Sequence, residues 1–439
     1  MKLKQIAILY ILSLPLGLSA QSKYSLENCK ELALKNNRQL VNAELQIQAS
    51  EETRKEAYTK YFPSLSASGL GFMSNKGLLS GDTPPLSFPL SGATLDIPSM
   101  PYSFLKKGGM GSLLLTQPLY AGGRIINGNK LASLNKEVNR QRLRQTENQV
   151  LLETENLYWT IVSLEEKVKT INALEEQLYS LKKDAEVSLK AGLVTMNDVL
   201  QVKLKINELA SSRLTIENNI EVCKMNLSRL MGIAGEPTSS FNVVAPDMQH
   251  PALPQTLYVN HKEALKARPE TNLLDKGVEA AKLQTKIKRG DYLPSVAVGV
   301  SYSQNNFLDK WQGNTLGFVS VSVPISGWWG GSHALKKQQM EEEIARNSQL
   351  DGQEQLLIQM QNVRNELDNA YKQILIANES IEQSTENLRI YNNQYKSGIV
   401  KMSDLLDAQT LFQKSKDLYV DSFADYQKKC VEYMQVTGR

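Results

Sequence analysis

The sequence contains an internal duplication, and this feature constrains the fold more than any other. Residues 191–200 resemble residues 397–406, with a Gly, an apolar pair and an Asp followed by two aliphatic residues in matching order. Residues 117–119 resemble residues 323–325 at the same offset of 206 positions. Because both copies of a repeated unit adopt similar structures, the chain is predicted to have a two-fold internal repeat.

The two copies differ in length. Residues 61–64 resemble residues 292–295 at an offset of 231, which exceeds the other offset of 206 by 25. The first copy therefore carries about 25 extra residues between its proline landmarks, and the natural place for them is 74–109, which contains five prolines. We expect this insertion to be a long loop, which either caps one end of the structure or is disordered.

The chain divides into a leader, two repeats and a linker. Residues 1–20 have a basic start, an apolar stretch and small residues at the end, which predicts a cleaved secretory signal peptide. The first repeat covers 21–235 and the second covers 258–439. Residues 236–257 contain four prolines and are predicted to link the repeats.

Heptad patterns in both repeats predict long coiled-coil helices. The stripe in the first repeat consists of Leu157, Ile161, Leu164, Val168, Ile171, Leu174, Leu178, Leu181 and Ala185. The stripe in the second repeat consists of Leu356, Met360, Val363, Leu367, Ala370, Ile374, Ala377, Ile381, Leu388, Tyr391 and Tyr395. Ser384 fills the one missing position. A helix over 124–190 would be about 100 Å long, so we interpret both stripes as the packing core of long helices.

Around the prolines the apolar period changes to two, which predicts β-strands. The strands are expected at about 64–73 and 110–118 in the first repeat, and at about 295–304 and 315–324 in the second. In the second repeat valines alternate with Ala, Gly and Ser, so one face suits lipid and the other suits a water-filled lumen. Four strands leave two open edges, which lipid does not tolerate, and three copies would remove these edges by closing twelve strands into a barrel.

Several functional classes are excluded by composition and motifs. The net charge of +4 over 439 residues gives no support for nucleic-acid binding. Histidines and cysteines are scattered, with no catalytic or metal-ligand spacing. They are His250, His261, His333, Cys29, Cys223 and Cys430. Since nucleotide-binding motifs are also missing, we predict that the protein is not an enzyme and has no cofactor and no metal.

The chain resembles the TolC family of outer membrane efflux proteins over essentially its whole mature length. The segments that carry this resemblance are 33–37, 117–124, 192–199 and 398–409. The resemblance implies a mainly α fold with a membrane β-barrel, in which a trimeric twelve-stranded barrel, with four strands per chain, is continued by a long α-helical coiled-coil tunnel. It also implies an outer membrane channel, the exit duct for efflux or secretion of small molecules or proteins.

The resemblance also implies partners and a location. The protein is expected to be a homotrimer in the outer membrane of a Gram-negative bacterium, with a large periplasmic portion. It would dock a periplasmic membrane fusion (adaptor) protein and an inner-membrane RND or ABC transporter. Outer membrane lipid would surround the barrel, with Trp311, Trp328 and Trp329 as candidate interfacial anchors. The alternative is a secreted coiled-coil structural or interaction protein, which the proline-bounded strands and matched turns do not favour.

Two glycine turns, one after each long helix, form the first candidate site. Each glycine is a natural end for its helix, and the apolar pair that follows is expected to be exposed. The resemblance implies that these turns are the periplasmic tips that dock the adaptor, whereas the alternative is a helix reversal with local packing only. The residues are Gly192, Leu193, Val194, Gly398, Ile399 and Val400.

Acidic residues near the second turn form a candidate gate. Asp404 and Asp407 are three residues apart and share one helix face. The resemblance implies that three copies place these carboxylates in acidic rings at the inner constriction of the channel. The alternative is local, because Asp is favoured in the first turn of a helix and Ser403 could be the N-cap.

A polar network is expected to hold the tips closed. By resemblance its members include Asp198 and Tyr395. A basic partner is expected two residues after the second glycine, but this position is Val400. The closed-state latch is therefore predicted to be altered, with the adjacent Lys401 as a candidate substitute.

Overall fold

The computed structural model describes residues 22–91, 93–233, 241–245, 248, 251–306 and 310–439. The predicted signal peptide 1–20 and part of the predicted linker 236–257 lie outside these residues. The helices are α1 Leu26–Asn36, α2 Arg38–Thr59, α3 Arg124–Lys190, α4 Met196–Leu230, α5 His261–Ala267, α6 Pro269–Gly290, α7 Gly327–Lys396 and α8 Met402–Val436. The strands are β1 Ser22–Tyr24, β2 Ser64–Met73, β3 Leu79–Asp82, β4 Leu86–Leu90, β5 Ala93–Ile97, β6 Pro101–Phe104, β7 Lys107–Ala121, β8 Phe241–Val243, β9 Ser295–Asn305 and β10 Gln312–Ser322.

These elements belong to two compact units. The helical unit contains residues up to 46 together with 140–273 and 350–439. The sheet unit contains 47–139 and 274–349. No helix among the described residues combines the length and the apolar composition needed to cross a bilayer.

The heptad stripes form the core of the helical unit. On α3, Ile161 and Ile171 are buried, and on α7, Met360 and Leu367 are buried. Ser384, the polar member of the α7 stripe, is also buried, and its hydroxyl donates to a backbone carbonyl at 3.2 Å. Because the hydroxyl forms this hydrogen bond, burying it in the apolar stripe leaves no unsatisfied polar group. The prediction of one helix over 124–190 is confirmed, since α3 has these bounds.

The sheet unit contains a four-stranded antiparallel sheet in the order β10-β9-β7-β2. The edge strands of the sheet are β10 and β2, and among the described residues neither pairs with a strand along its outer edge. Helices α2, α3, α6 and α7 all join the sheet at the same end. Strand β10 begins three residues earlier than predicted, at Gln312, because its pairing with β9 continues up to Asn305.

The two faces of the sheet differ in chemistry. Because directly paired residues share a face, the register places Leu115, Val300 and their neighbours on one side, called the valine face. The valine face carries Leu65, Leu113, Leu115, Val296, Val298, Val300, Val319 and Val321. The opposite serine face carries Ser64, Ser66, Ser68, Ser112, Thr116, Ser301, Ser303 and Ser320.

The expectation that the insertion 74–109 is a loop was wrong. Within it β3 pairs with β6 and β4 pairs with β5, both antiparallel. The amide of Ser74 donates to the carbonyl of Lys106 at 2.7 Å, so the β2–β7 ladder continues into these pairs. The insertion is therefore a long extension of one hairpin. Its prolines are compatible with pairing because each strand of a two-stranded ribbon has one edge without a ladder.

The described part of the predicted linker 236–257 is pinned to the helical unit. Strand β8 pairs in parallel with β1. Three tyrosine hydroxyls donate to linker carbonyls, and the bond from Tyr419 to Met248 measures 2.7 Å. A short 3-10 helix, Pro254–Leu257, completes this segment. The described linker residues are therefore ordered by specific bonds.

Candidate functional site

The two glycine turns have the same backbone geometry. Gly192 and Gly398 have φ of +73° and +70°, the left-handed region in which glycine is favoured. At the first turn, the amides of Gly192 and Leu193 donate to the last turn of α3 at 3.0 and 2.9 Å. At the second, the amides of Gly398 and Ile399 donate to the last turn of α7 at the same distances. Both helices therefore end in a Schellman motif, which reverses the chain direction sharply.

Each turn presents one large apolar side chain to solvent. Leu193 is 78% exposed and Ile399 is 72% exposed. The following residues, Val194 and Val400, are half-buried. The turn geometry thus holds one apolar side chain outward and one against the protein at both positions.

Carboxylates cap the helices that follow the two turns. At α4, Asp198 accepts from the backbone amide and the hydroxyl of Thr195 at 2.8 and 2.7 Å. At α8, Asp404 accepts from the backbone amide of Lys401 at 3.1 Å. The N-cap residue of α8 is Lys401. The alternative in which Ser403 is the N-cap was therefore wrong. Ser403 lies inside the helix and its hydroxyl donates to Asp404 at 3.3 Å.

A crevice of about 880 Å³ lies between the two turns, within the helical unit. Its lining includes Asp198 and Tyr395, the two predicted network residues. Burial raises the pKa of the Tyr395 phenol, and the negative charges of Asp198 and Asp184 raise it further. The hydroxyl of Tyr395 therefore stays protonated and can act as a hydrogen-bond donor in this crevice.

The position expected to be basic is apolar in this crevice. Val400 lines it beside Lys401, whose side chain is exposed. The backbone amide of Lys401 donates to Asp404 and caps α8. The residue that follows the expected basic position is thus a lysine.

The two predicted gate residues have different surroundings. Asp404 is half-buried and its carboxylate accepts the capping bonds described above. Asp407 is exposed on α8. Neither lines the crevice between the turns. Asp404 therefore has a local structural role in a single copy, whereas Asp407 has its carboxylate exposed to solvent.

Apolar residues beneath the turns hold the site in place, and the sequence reasoning did not single them out. Met402, Leu405 and Val199 are each about 1% exposed. Met402 and Leu405 also line the crevice. The duplication aligns Met402 with Met196, which is 59% exposed. The two turns are thus equivalent in backbone geometry but not in packing.

Among the described residues, no three His, Cys, Asp or Glu side chains are arranged to hold a metal ion. Cys29 and Cys430 are buried, and burial raises the pKa of their thiols to about 12 and about 11. Such thiols are poor nucleophiles. They act as small apolar residues of the helical core.

Comparison with known proteins identifies relatives of this architecture. The family model described as "Outer membrane efflux protein" matches residues 30–233 and 261–439. The outer membrane efflux protein BepC of Brucella suis biovar 1 (strain 1330) is 22% identical over 422 residues, which cover 89% of this chain and 82% of BepC.

Solved structures have the same fold. The outer membrane protein VceC from Vibrio cholerae matches with a TM-score of 0.74 and 15% identity, over 94% of this chain and 96% of VceC. The Campylobacter jejuni CmeC outer membrane channel matches with a TM-score of 0.76 and 13% identity, over 94% of this chain and 85% of CmeC.

Proposed function

This chain belongs to the outer membrane efflux protein family, and from that premise we propose that three copies form one exit duct that docks a periplasmic adaptor at the two glycine turns. The protein is an outer membrane channel with a periplasmic tunnel, and its family is a transport family. The secreted structural protein considered above is not retained, because the family model covers both repeats.

The trimer is supported by the sheet and by one helix. Strands β10 and β2 have unsatisfied backbone groups along their outer edges, which are costly in lipid. Pairing β10 of one copy with β2 of the next would close twelve strands. An exposed apolar stripe on α4 would pack between copies. It consists of Met196, Leu200, Leu204, Leu214, Val222 and Met225.

Docking of the adaptor rests on a single observation, the matched exposure of Leu193 and Ile399. The duplication repeats this exposure at two turns, although each turn could have buried its apolar residue. Six such turns in a trimer would present a ring of apolar anchors. A partner with apolar sockets would bury them and gain about 1.5–3 kcal/mol for each anchor.

The gate and the network complete the proposal. Three copies of Asp407 and Asp404 would surround the channel axis, where close carboxylates attract cations. Asp198, Tyr395 and Lys401 would form the polar contacts that hold the tips together. The inner-membrane partner would be an RND or ABC transporter, reached through the adaptor.

The decisive experiment replaces both anchors, as Leu193→Asp with Ile399→Asp, in a strain that lacks its own duct. We expect heat-resistant trimers in the outer membrane, loss of co-purified adaptor and a fall in drug resistance. The matched control is Leu79→Asp, which changes a residue of similar chemistry, 57% exposed, in the hairpin extension. Retained adaptor binding and resistance in the double variant would refute docking at the turns.

The gate has its own test. Asp407→Asn removes one carboxylate per copy without touching the cap of α8. In planar bilayers we expect weaker block by divalent cations and no change in trimer yield. Unchanged block would show that Asp407 does not line the constriction.

A further inference from the structure

Four lysines cluster where the sheet ends away from its helices. Lys106 and Lys107 lie at the start of β7, and Lys310 lies before β10. Lys76 lies in the segment that joins β2 to β3. All four are exposed, and none forms an ion pair with a described carboxylate within 4.0 Å. We call this group the lysine rim.

Carboxylates are scarce around the lysine rim. Residues 64–81, 105–121 and 310–326 contain no Asp or Glu, and neither does 295–306. Asp82 and Asp96 lie further along the hairpin extension, and Asp309 lies outside the described residues. The rim itself therefore carries an excess of positive charge, in contrast to the helices, where lysines form ion pairs with carboxylates, such as Lys429 with Glu366.

A concavity of about 590 Å³ lies at the rim. Three of its seven lining residues are the glycines Gly71, Gly108 and Gly109, and Phe72 and Met73 also line it. Lys107 and Asn306 line its sides. The side-chain oxygen of Asn306 accepts from the amide of Gly109 at 2.5 Å, which holds the wall of the concavity in place.

The register places this concavity at the boundary of the valine face. Lys107 pairs with Met73, and both continue the row of Leu113 and Leu115. Met73 is 88% exposed. The ring of Trp311 lies over Gly109 on the same side. An apolar face that ends in a tryptophan and a lysine has the pattern of a membrane interface, where the ring lies at headgroup level and the amine reaches the polar groups.

We propose that the lysine rim binds the phosphates of the anionic glycolipid (lipopolysaccharide) in the outer leaflet. This inference rests on the proposed duct, because the helices of the sheet unit continue toward the periplasm and the opposite end of the sheet then faces the cell exterior. The glycines of the concavity leave room for part of a headgroup, and Lys107 supplies an ammonium group to a phosphate. Trp311 anchors the adjacent sugar or acyl boundary.

The chemistry selects this ligand over its competitors. A zwitterionic phospholipid carries no net charge, so it gains little from a carboxylate-poor rim of lysines. Free inorganic phosphate has the charge but not the apolar chains that would lie against the valine face. The glycolipid provides both, which predicts tighter binding than either one alone.

The test uses the purified trimer and counts bound lipids by native mass spectrometry. The probes are lipopolysaccharide lacking its O-antigen, the same glycolipid after dephosphorylation, phosphatidylethanolamine and inorganic phosphate. We expect retention of the phosphorylated glycolipid, with loss of binding for the dephosphorylated form. Lys107→Glu, on the valine face, should weaken binding about fivefold, since a lysine near an anionic lipid surface contributes to binding.

A matched control distinguishes the effect of charge at the lysine rim from the effect of the net charge of the whole protein. Lys262→Glu changes the net charge by the same amount at an exposed lysine of α5 in the helical unit, and should leave lipid binding unchanged. Equal binding by the rim variant and the control, or equal binding of dephosphorylated glycolipid, would overturn the proposal. Because binding is measured on the isolated trimer, a failure of drug efflux or adaptor docking would not produce either result.

Discussion

Replacing Gly122 by alanine should destabilise this protein far more than replacing Gly192, although both glycines have positive φ. At Gly192 a Cβ would meet nothing within 4 Å, so the substitution costs only backbone strain, about 1–2 kcal/mol. At Gly122 the Cβ would lie 2.4 Å from the carbonyl oxygen of Gly290 and 3.0 Å from its Cα. The contacted atoms belong to the backbone of Gly290, the last residue of α6, so they cannot rotate away as a side chain would.

The clash at Gly122 adds an overpacking cost of about 1–3 kcal/mol to the same backbone strain. The total of about 2–5 kcal/mol is a substantial fraction of the net stability of a typical folded protein, about 5–15 kcal/mol. Asparagine separates the two contributions, because it tolerates the left-handed region but still carries a Cβ. Gly192→Asn should therefore regain most of the lost stability, whereas Gly122→Asn should not.

The measurement is the temperature at which half of the detergent-purified trimer dissociates, together with the yield of folded trimer in membranes. The expected order of dissociation temperatures is wild type, then Gly192→Asn, then Gly192→Ala, with both Gly122 variants well below. If Gly122→Ala matches Gly192→Ala, or if asparagine rescues both positions equally, the close approach to Gly290 does not limit stability and the reasoning is refuted.

Four other substitutions test the packing, the cap of α8 and one ion pair. Met402→Ala should cost about 2–5 kcal/mol by leaving a cavity, while Met196→Ala should change the stability of the isolated chain little, as thermal unfolding will show. Asp404→Ala should cost about 1 kcal/mol by uncapping α8, seen as faster amide exchange in its first turn. Lys429 lowers the pKa of Glu366, so this pair stabilises the fold above the ordinary Glu pKa of 4.5 and loses its effect as pH falls below it. Glu366→Gln should therefore reduce the loss of unfolding free energy that occurs as the pH falls below 4.5. An unchanged pH dependence in that range would count against a stabilising role for the pair.

Much of the helical architecture could be predicted because the period of apolar residues is a local property. The stripe through Met360 and Leu367 repeats every three or four positions, and only a helix places such residues on one side. The end of α3 at Lys190 followed from Gly192, because a glycine in the left-handed region stops a helix without help from distant residues. These signals required no knowledge of the partner helices.

The hairpin extension could not be predicted from its composition. Prolines and glycines between 74 and 109 indicate turns, but Gly81 is covered by the ring of Tyr102 directly across the ladder. The contact between Gly81 and Tyr102 forms only when β3 and β6 pair in this register. That register follows from the pairing of β2 with β7, which begins at Ser64. Lys310 is likewise separated from Lys107 by about 200 positions (310 − 107 = 203), and strand pairing brings their segments to the same end of the sheet.

By itself, the sequence determined that the chain is a duplicated helix–strand unit with two matched glycine turns, because periodicity, glycine and proline act over a few residues. Only the tertiary structure decided how the two copies differ in packing. Met196 and Met402 occupy equivalent positions after equivalent turns, yet one is 59% exposed and the other 1% exposed. The reason is that burial depends on which neighbouring helices cover a residue, and the duplicated sequence does not specify which copy is covered.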